Sequence, residues 1–179
     1  MKFGLLLSTC VLLSMPALAQ SVSEKTGVNS TLGIAPKTSD FVSEAARSDM
    51  FEIESSKLAA TKTTGDVQAF ANQMVADHTK TTTELKPLAR QAHITLPTRM
   101  SSSQQSMLDK LRHLSGHDFT NQYDDDQVSA HQTAVSLFQR YSDGGDNAGL
   151  KSWAAQTLPT LQHHLDMAQG LQKITTGSR

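Results

Sequence analysis

Cysteine is almost missing from this 179-residue chain: the only one, Cys10, sits inside the apolar opening run. That run, with Lys2 before it and Ala17-Leu18-Ala19 ahead of Gln20, predicts a secretory signal peptide over residues 1–19. Too little hydrophobic segment precedes Leu7-Ser8-Thr9-Cys10 for a lipid-attachment box. Cys10 leaves with the peptide, so the mature chain has neither disulfides nor thiolate chemistry. Charge of one sign is missing too. Sixteen Lys and Arg against 17 Asp and Glu leave a net charge of −1, with no clustered basic run, which argues against a nucleic-acid partner. No later stretch reaches the roughly 20 apolar residues of a membrane-spanning helix. The expectation is a soluble protein of the periplasm, or a secreted one, free of transmembrane segments. Aromatics are scarce at 5% and strand-like alternation is absent, which favours an all-α fold.

What is present is helical periodicity. Residues 20–38, rich in Ser, Thr, Gly and Asn, read as a flexible leader, and 39–174 as one domain. Ser39 or Asp40 is expected to cap a first helix to about residue 62, and Asp66 a second. Pro87 should kink or end that second helix. Ile94 to Arg99 is extended around Pro97. Ser101-x-x-Gln104 and Ser102-x-x-Gln105 fit a capping box opening a short helix to about Leu114. Longer helices follow over about 117–142 and 147–173, the last carrying Pro159, where another kink is expected. Two helical hairpins joined by a long crossover with a short helix imply a ferritin-like four-helix bundle.

Val67, Ala71, Met74, His78, Thr81, Leu85 and Leu88 recur at offsets of 4, 3, 4, 3, 4 and 3, one stripe of a helix with a histidine at its middle. His131 falls on the stripe of Val128, Val135 and Phe138, and His164 on that of Leu150, Ala154, Thr157, Leu161, Ala168 and Leu171. In the first helix the stripe Phe41, Ala45, Ser48, Glu52, Ser55, Ala59 turns Glu52 inward. Counting from the hairpin turns makes Glu52 and His78 nearly level, whereas His131 and His164 differ by about 9 Å for ideal helices. Glu52, His78, His131 and His164 are thus a candidate metal site for a single Zn²⁺, Fe²⁺ or Cu²⁺ ion. The plainer reading keeps the histidines neutral and hydrogen-bonded in the core. Buried neutral histidines should titrate below about 6.5, so that stability falls as pH drops from about 7 towards 5.

A di-iron site needs Glu-x-x-His on two helices, and the residues three before His78 and His164 are Val75 and Leu161. Asp77 points about 100° from His78, as a solvated side chain or surface pair, and Asp124-Asp125-Asp126 reads as a solvated acidic face. His163 should face outward. His93, His113 and His117 lie near helix ends, and Trp153 and Tyr123 read as core or rim packing. No nucleophile elbow, phosphate loop or Ser/His/Asp spacing occurs.

Over about Asp40 to Leu171 the chain resembles a large bacterial family of exported ferritin-like proteins catalogued as a domain of unknown function. The likeness rests on FVSEAARSDMFEIESSKLA, FANQMVADHTKTTTEL, QVSAHQTAVSLF and LPTLQHHLDMA. It implies a four-helix bundle sent to the periplasm or outer membrane, places Glu52, His78, His131 and His164 on the family's pattern, and supplies no established catalytic activity. Where relatives often carry an acidic residue beside His164, this chain has His163. The expected role is metal handling or envelope stress tolerance, without catalysis. Beside it stand a structural or interaction module of the envelope, working with a protein partner or a second copy of the chain, and a metal-dependent redox enzyme acting on peroxide.

Overall fold

The computed structural model describes residues 28–177, and among these the chain is all-helical, with no strand. The expected signal peptide at 1–19 and the start of the leader lie outside the described residues. A single turn, α1 (Val28–Thr31), precedes α2 (Thr38–Lys62), α3 (Gly65–Gln91), α4 (Ser102–His113), α5 (Gly116–Gly144) and α6 (Ala148–Gly177).

Helix α2 starts earlier than the sequence suggests. Lys37, in extended backbone, is its N-cap, so Ser39 and Asp40 lie within the first turn and not at the cap position. Asp40 still complements the positive helix end. The start is held from outside: the Thr38 hydroxyl shares hydrogen bonds with the Tyr141 hydroxyl and with Asp146, tying it to the α5–α6 turn. Between α2 and α3 only Thr63 and Thr64 intervene. Gly65 takes φ +63, a conformation glycine adopts without steric cost, and Thr64 rather than Asp66 is the N-cap. The capping box forms at Ser101, whose hydroxyl accepts from the Gln104 N–H while the Gln104 side chain accepts from the Ser101 N–H.

Neither internal proline ends its helix. Pro87 lies within α3 and Pro159 within α6, and both helices run on, to Gln91 and Gly177. The carbonyls that lose a partner belong to Thr83 and Ala155, residues on exposed faces, while Leu85, Ala89, Leu158 and Leu161 stay in the core on either side. Packing of that face outweighs the local cost of roughly 3 kcal/mol per proline.

Helices α2 and α3 pack as one hairpin and α5 and α6 as another; α2 lies on α5, α3 on α6, and α4 rests on α2 and α5. The apolar core comes in two parts. One gathers Phe41, Leu85, Phe138, Tyr141, Leu150 and Trp153, with Phe41 and Tyr141 rings stacked at 3.9 Å. The other gathers Phe70, Met74, Leu111, Phe119, Tyr123 and Leu171. On α2, α3 and α6 the polar residues Glu52, His78 and His164 fall between the two parts along the helix, and on α5 His131 falls between Val128 and Ala134. A buried polar layer therefore interrupts the core at mid-length. No helix among the described residues is long and apolar enough to cross a membrane.

Candidate metal centre

The polar layer is built by the helical stripes that the sequence displays. His78, His131 and His164 are each 1–2% exposed, and they converge from α3, α5 and α6. Their ring centroids are 5.6 Å (His78–His131), 5.6 Å (His78–His164) and 5.4 Å (His131–His164) apart. The 9 Å mismatch expected between His131 and His164 is absent. Helix α5 runs on to Gly144 and α6 starts at Ala148, so His131 lies 13 residues before one end and His164 lies 16 after the other start. The axial offset falls to about 4.5 Å, which imidazole reach and helix crossing absorb.

Each imidazole spends one nitrogen on a fixed acceptor. His78 Nδ1 donates to Asp49 Oδ1 at 2.9 Å, and Asp49 also accepts from the Thr81 and Thr82 hydroxyls at 2.8 and 2.9 Å. His131 Nδ1 donates to the Gln127 carbonyl at 2.9 Å. His164 Nε2 donates to Asp77 Oδ2 at 2.9 Å. Acceptors on those nitrogens assign the proton there in the neutral rings. The opposite nitrogens, His78 Nε2, His131 Nε2 and His164 Nδ1, are buried with no hydrogen-bond partner. One nitrogen from each of the three rings lies within 4.8 Å of the others.

Glu52, 1% exposed, stands beside this triangle but outside the group of three whose donor atoms lie within 4.8 Å of one another; its Oε1 is 4.0 Å from His131 Nδ1, and neither carboxylate oxygen has a hydrogen-bond partner. Burial pushes its pKa up to about 7, against the opposing pull of His78 and the Gln127 side chain. Burial, then the charge of His78, lowers His131 to about 3. The same two causes lower His164 to about 4 despite Asp77. These two follow the expectation for buried neutral histidines. His78 departs from it: burial pulls it down, but the Asp49 hydrogen bond and the carboxylates of Glu52, Asp49 and Asp77 hold it above 6.5. Of the three rings, His78 is the one whose pKa is raised rather than lowered.

Sequence reasoning missed both buttressing carboxylates. Asp77 does turn away from His78, but towards α6, where it fixes His164 while its side chain stays 35% exposed. Asp49 is buried, whereas Ser48 on the expected stripe is half-buried. A signal for Asp49 existed: it lies 13 residues before the end of α2 and His78 13 after the start of α3, so the two are level. The acidic run is also not a solvated face, since Asp124 and Asp126 are buried and only Asp125 is exposed, accepting from Gln172 at 2.8 Å. His163 is exposed as expected, and so are His93, His113 and His117 at or near helix ends; Tyr123 and Trp153 pack in the core.

Residues 23–171 match the model of a family described as a domain of unknown function (DUF4142). No curated protein and no solved structure matches the chain.

Proposed function

The chain belongs to the DUF4142 family, and on the geometry of the polar layer we propose that it holds one transition-metal ion. His78, His131 and His164 are the nitrogen donors and Glu52 is the fourth, oxygen donor. One observation carries this reading. Three buried ring nitrogens, His78 Nε2, His131 Nε2 and His164 Nδ1, have no hydrogen-bond partner, while the other nitrogen of each ring is fixed by a carboxylate or carbonyl. Leaving buried polar atoms unmatched costs about 1–3 kcal/mol each, so three in one place call for a ligand. Oriented imidazoles backed by acceptors are the usual support of a histidine metal site. Zn²⁺, Fe²⁺ or Cu²⁺ accepts such a set. A tetrahedral ion would need the nitrogens about 3.3 Å apart, so loading draws the rings inward from their present spacing.

The surrounding arrangement is ferritin-like: α2–α3 and α5–α6 are the two hairpins of a four-helix bundle, and the connection from Ala92 to Ser115 with α4 is its crossover. The helix pairs that pack together support this. The role is metal handling or stress tolerance in the periplasm, a compartment supported by the sequence pattern of residues 1–19. Cobalt substitution tests the site: apoprotein titrated with Co²⁺ should give the intense visible bands of a four-coordinate centre at one equivalent. A spectrum of hexaaqua Co²⁺ throughout defeats the proposal.

A further inference from the structure

The histidine cluster is closed to solvent, so an ion bound there must pass some wall of the protein. Of the groups that fix the three rings, Asp49 has 8% of its side chain exposed and Gln127 is fully buried, but Asp77 is 35% exposed. Asp77 lies in a groove of about 660 Å³ between α3 and α6, large enough for a hydrated ion. The groove wall also carries Thr81, which donates to Asp49, together with Glu84, Thr157 and Thr160. It therefore meets the acceptor of His164 directly and that of His78 through one hydroxyl. Its charged groups are Asp77, Glu84 and Lys80; Lys80 is 75% exposed and leans towards Glu84 at 3.9 Å. Glu84 in turn accepts from Trp153 Nε1 at 3.0 Å. That leaves Asp77 as the carboxylate at the cluster's side of the groove.

We propose that the α3–α6 groove is the access route of a divalent transition-metal cation to the histidine cluster, with Asp77 as the carboxylate that captures the ion and passes it to His164. This rests on the metal-binding reading above and adds the direction from which the ion comes. Capture replaces the Asp77–His164 hydrogen bond with an Asp77–cation contact. That frees the His164 ring to turn, and Asp77 returns to His164 Nε2 when the ion has moved inward. Hydroxyls of Thr81 and Thr157 offer oxygen contacts along the wall in place of lost water.

Thr160 lies on the exposed rim of the groove, so a charge there alters loading without touching the cluster. Stopped-flow uptake of Co²⁺ by apoprotein is measured for wild type, Thr160→Glu and Thr160→Lys, with Thr133→Glu and Thr133→Lys on exposed α5 surface as charge-matched controls. The Thr160 pair should raise and lower the association rate about fivefold respectively, an effect that fades in high salt, while the Thr133 pair stays at the wild-type rate. Thr160→Trp should slow uptake and release alike with Kd unchanged. Wild-type rates in all three Thr160 variants, each loading one equivalent, would overturn the route and leave the metal site standing. A wild type that holds no cobalt even when refolded from urea in its presence would overturn the metal reading and the route together.

Discussion

Glu52 offers the sharpest quantitative test, because its cost depends on pH. Its folded pKa of about 7 lies above the ordinary 4.5 through burial, so the apoprotein binds a proton there that the unfolded chain has released. The stability linked to that proton is fully present below about pH 4.5 and is lost as pH rises through 7. At 1.36 kcal/mol per pKa unit the loss amounts to about 3 kcal/mol, and Glu52 is buried enough that solvent screening does not reduce it. Glu52→Gln removes the titration and nearly keeps the shape. The difference in unfolding free energy between variant and wild type should therefore shift by about 3 kcal/mol in the variant's favour between pH 4.5 and pH 8. Urea denaturation with a chelator present measures it, and the titrations of His131, His164 and Asp126 largely cancel because both proteins share them. A difference that stays constant to within about 0.5 kcal/mol across that range would refute the reasoning. It would mean that Glu52 is hydrated or paired in a way that burial in this layer does not allow. If the layer holds metal the sign reverses, since Glu52→Gln replaces a charged carboxylate donor with a weaker neutral amide oxygen and should weaken binding.

Three further outcomes can be measured on the same protein. Metal loading at pH 6 should release about two protons, from His78 and Glu52, and fewer as pH rises towards 9; calorimetry in buffers of different ionisation enthalpy reads the number. Asp49→Asn removes the charged acceptor of His78, Thr81 and Thr82 and should destabilise the apoprotein by about 2 kcal/mol while lowering the His78 pKa seen by NMR; an unchanged pKa would contradict the pairing. His93 sits at φ +56 in the turn that ends α3, with His93 N–H on the Arg90 carbonyl and Ile94 N–H on that of Ala89. His93→Gly relieves that conformation and should stabilise the fold by roughly 0.5 kcal/mol in thermal or urea melts, whereas a loss would show that the imidazole contributes more than its strain costs.

The helices and the three inward histidines are legible in the sequence because both depend on one-dimensional periodicity, which a single stripe records. Pro87 does not end its helix because a missing N–H is a local cost, whereas the face around it is held by contacts from other helices. The His131–His164 offset misled because it depends on where a turn starts, and a shift of two residues at Gly144 moves the level by about 3 Å. Asp77 could not be read at all: its partner lies on α6, and only the packing of α3 against α6 brings the two together. Asp49 was within reach, since equal arms of a tight hairpin put it level with His78.

The central claim is that the polar layer holds a metal. Elemental analysis of the untagged protein measures it most directly in wild type and His131→Ala. The wild type should hold close to one equivalent of a single transition metal and the variant almost none, with both helical by circular dichroism. No metal in the wild type, even after reconstitution with Zn²⁺, Fe²⁺ or Cu²⁺, would contradict it and leave the histidines as fixtures of the core.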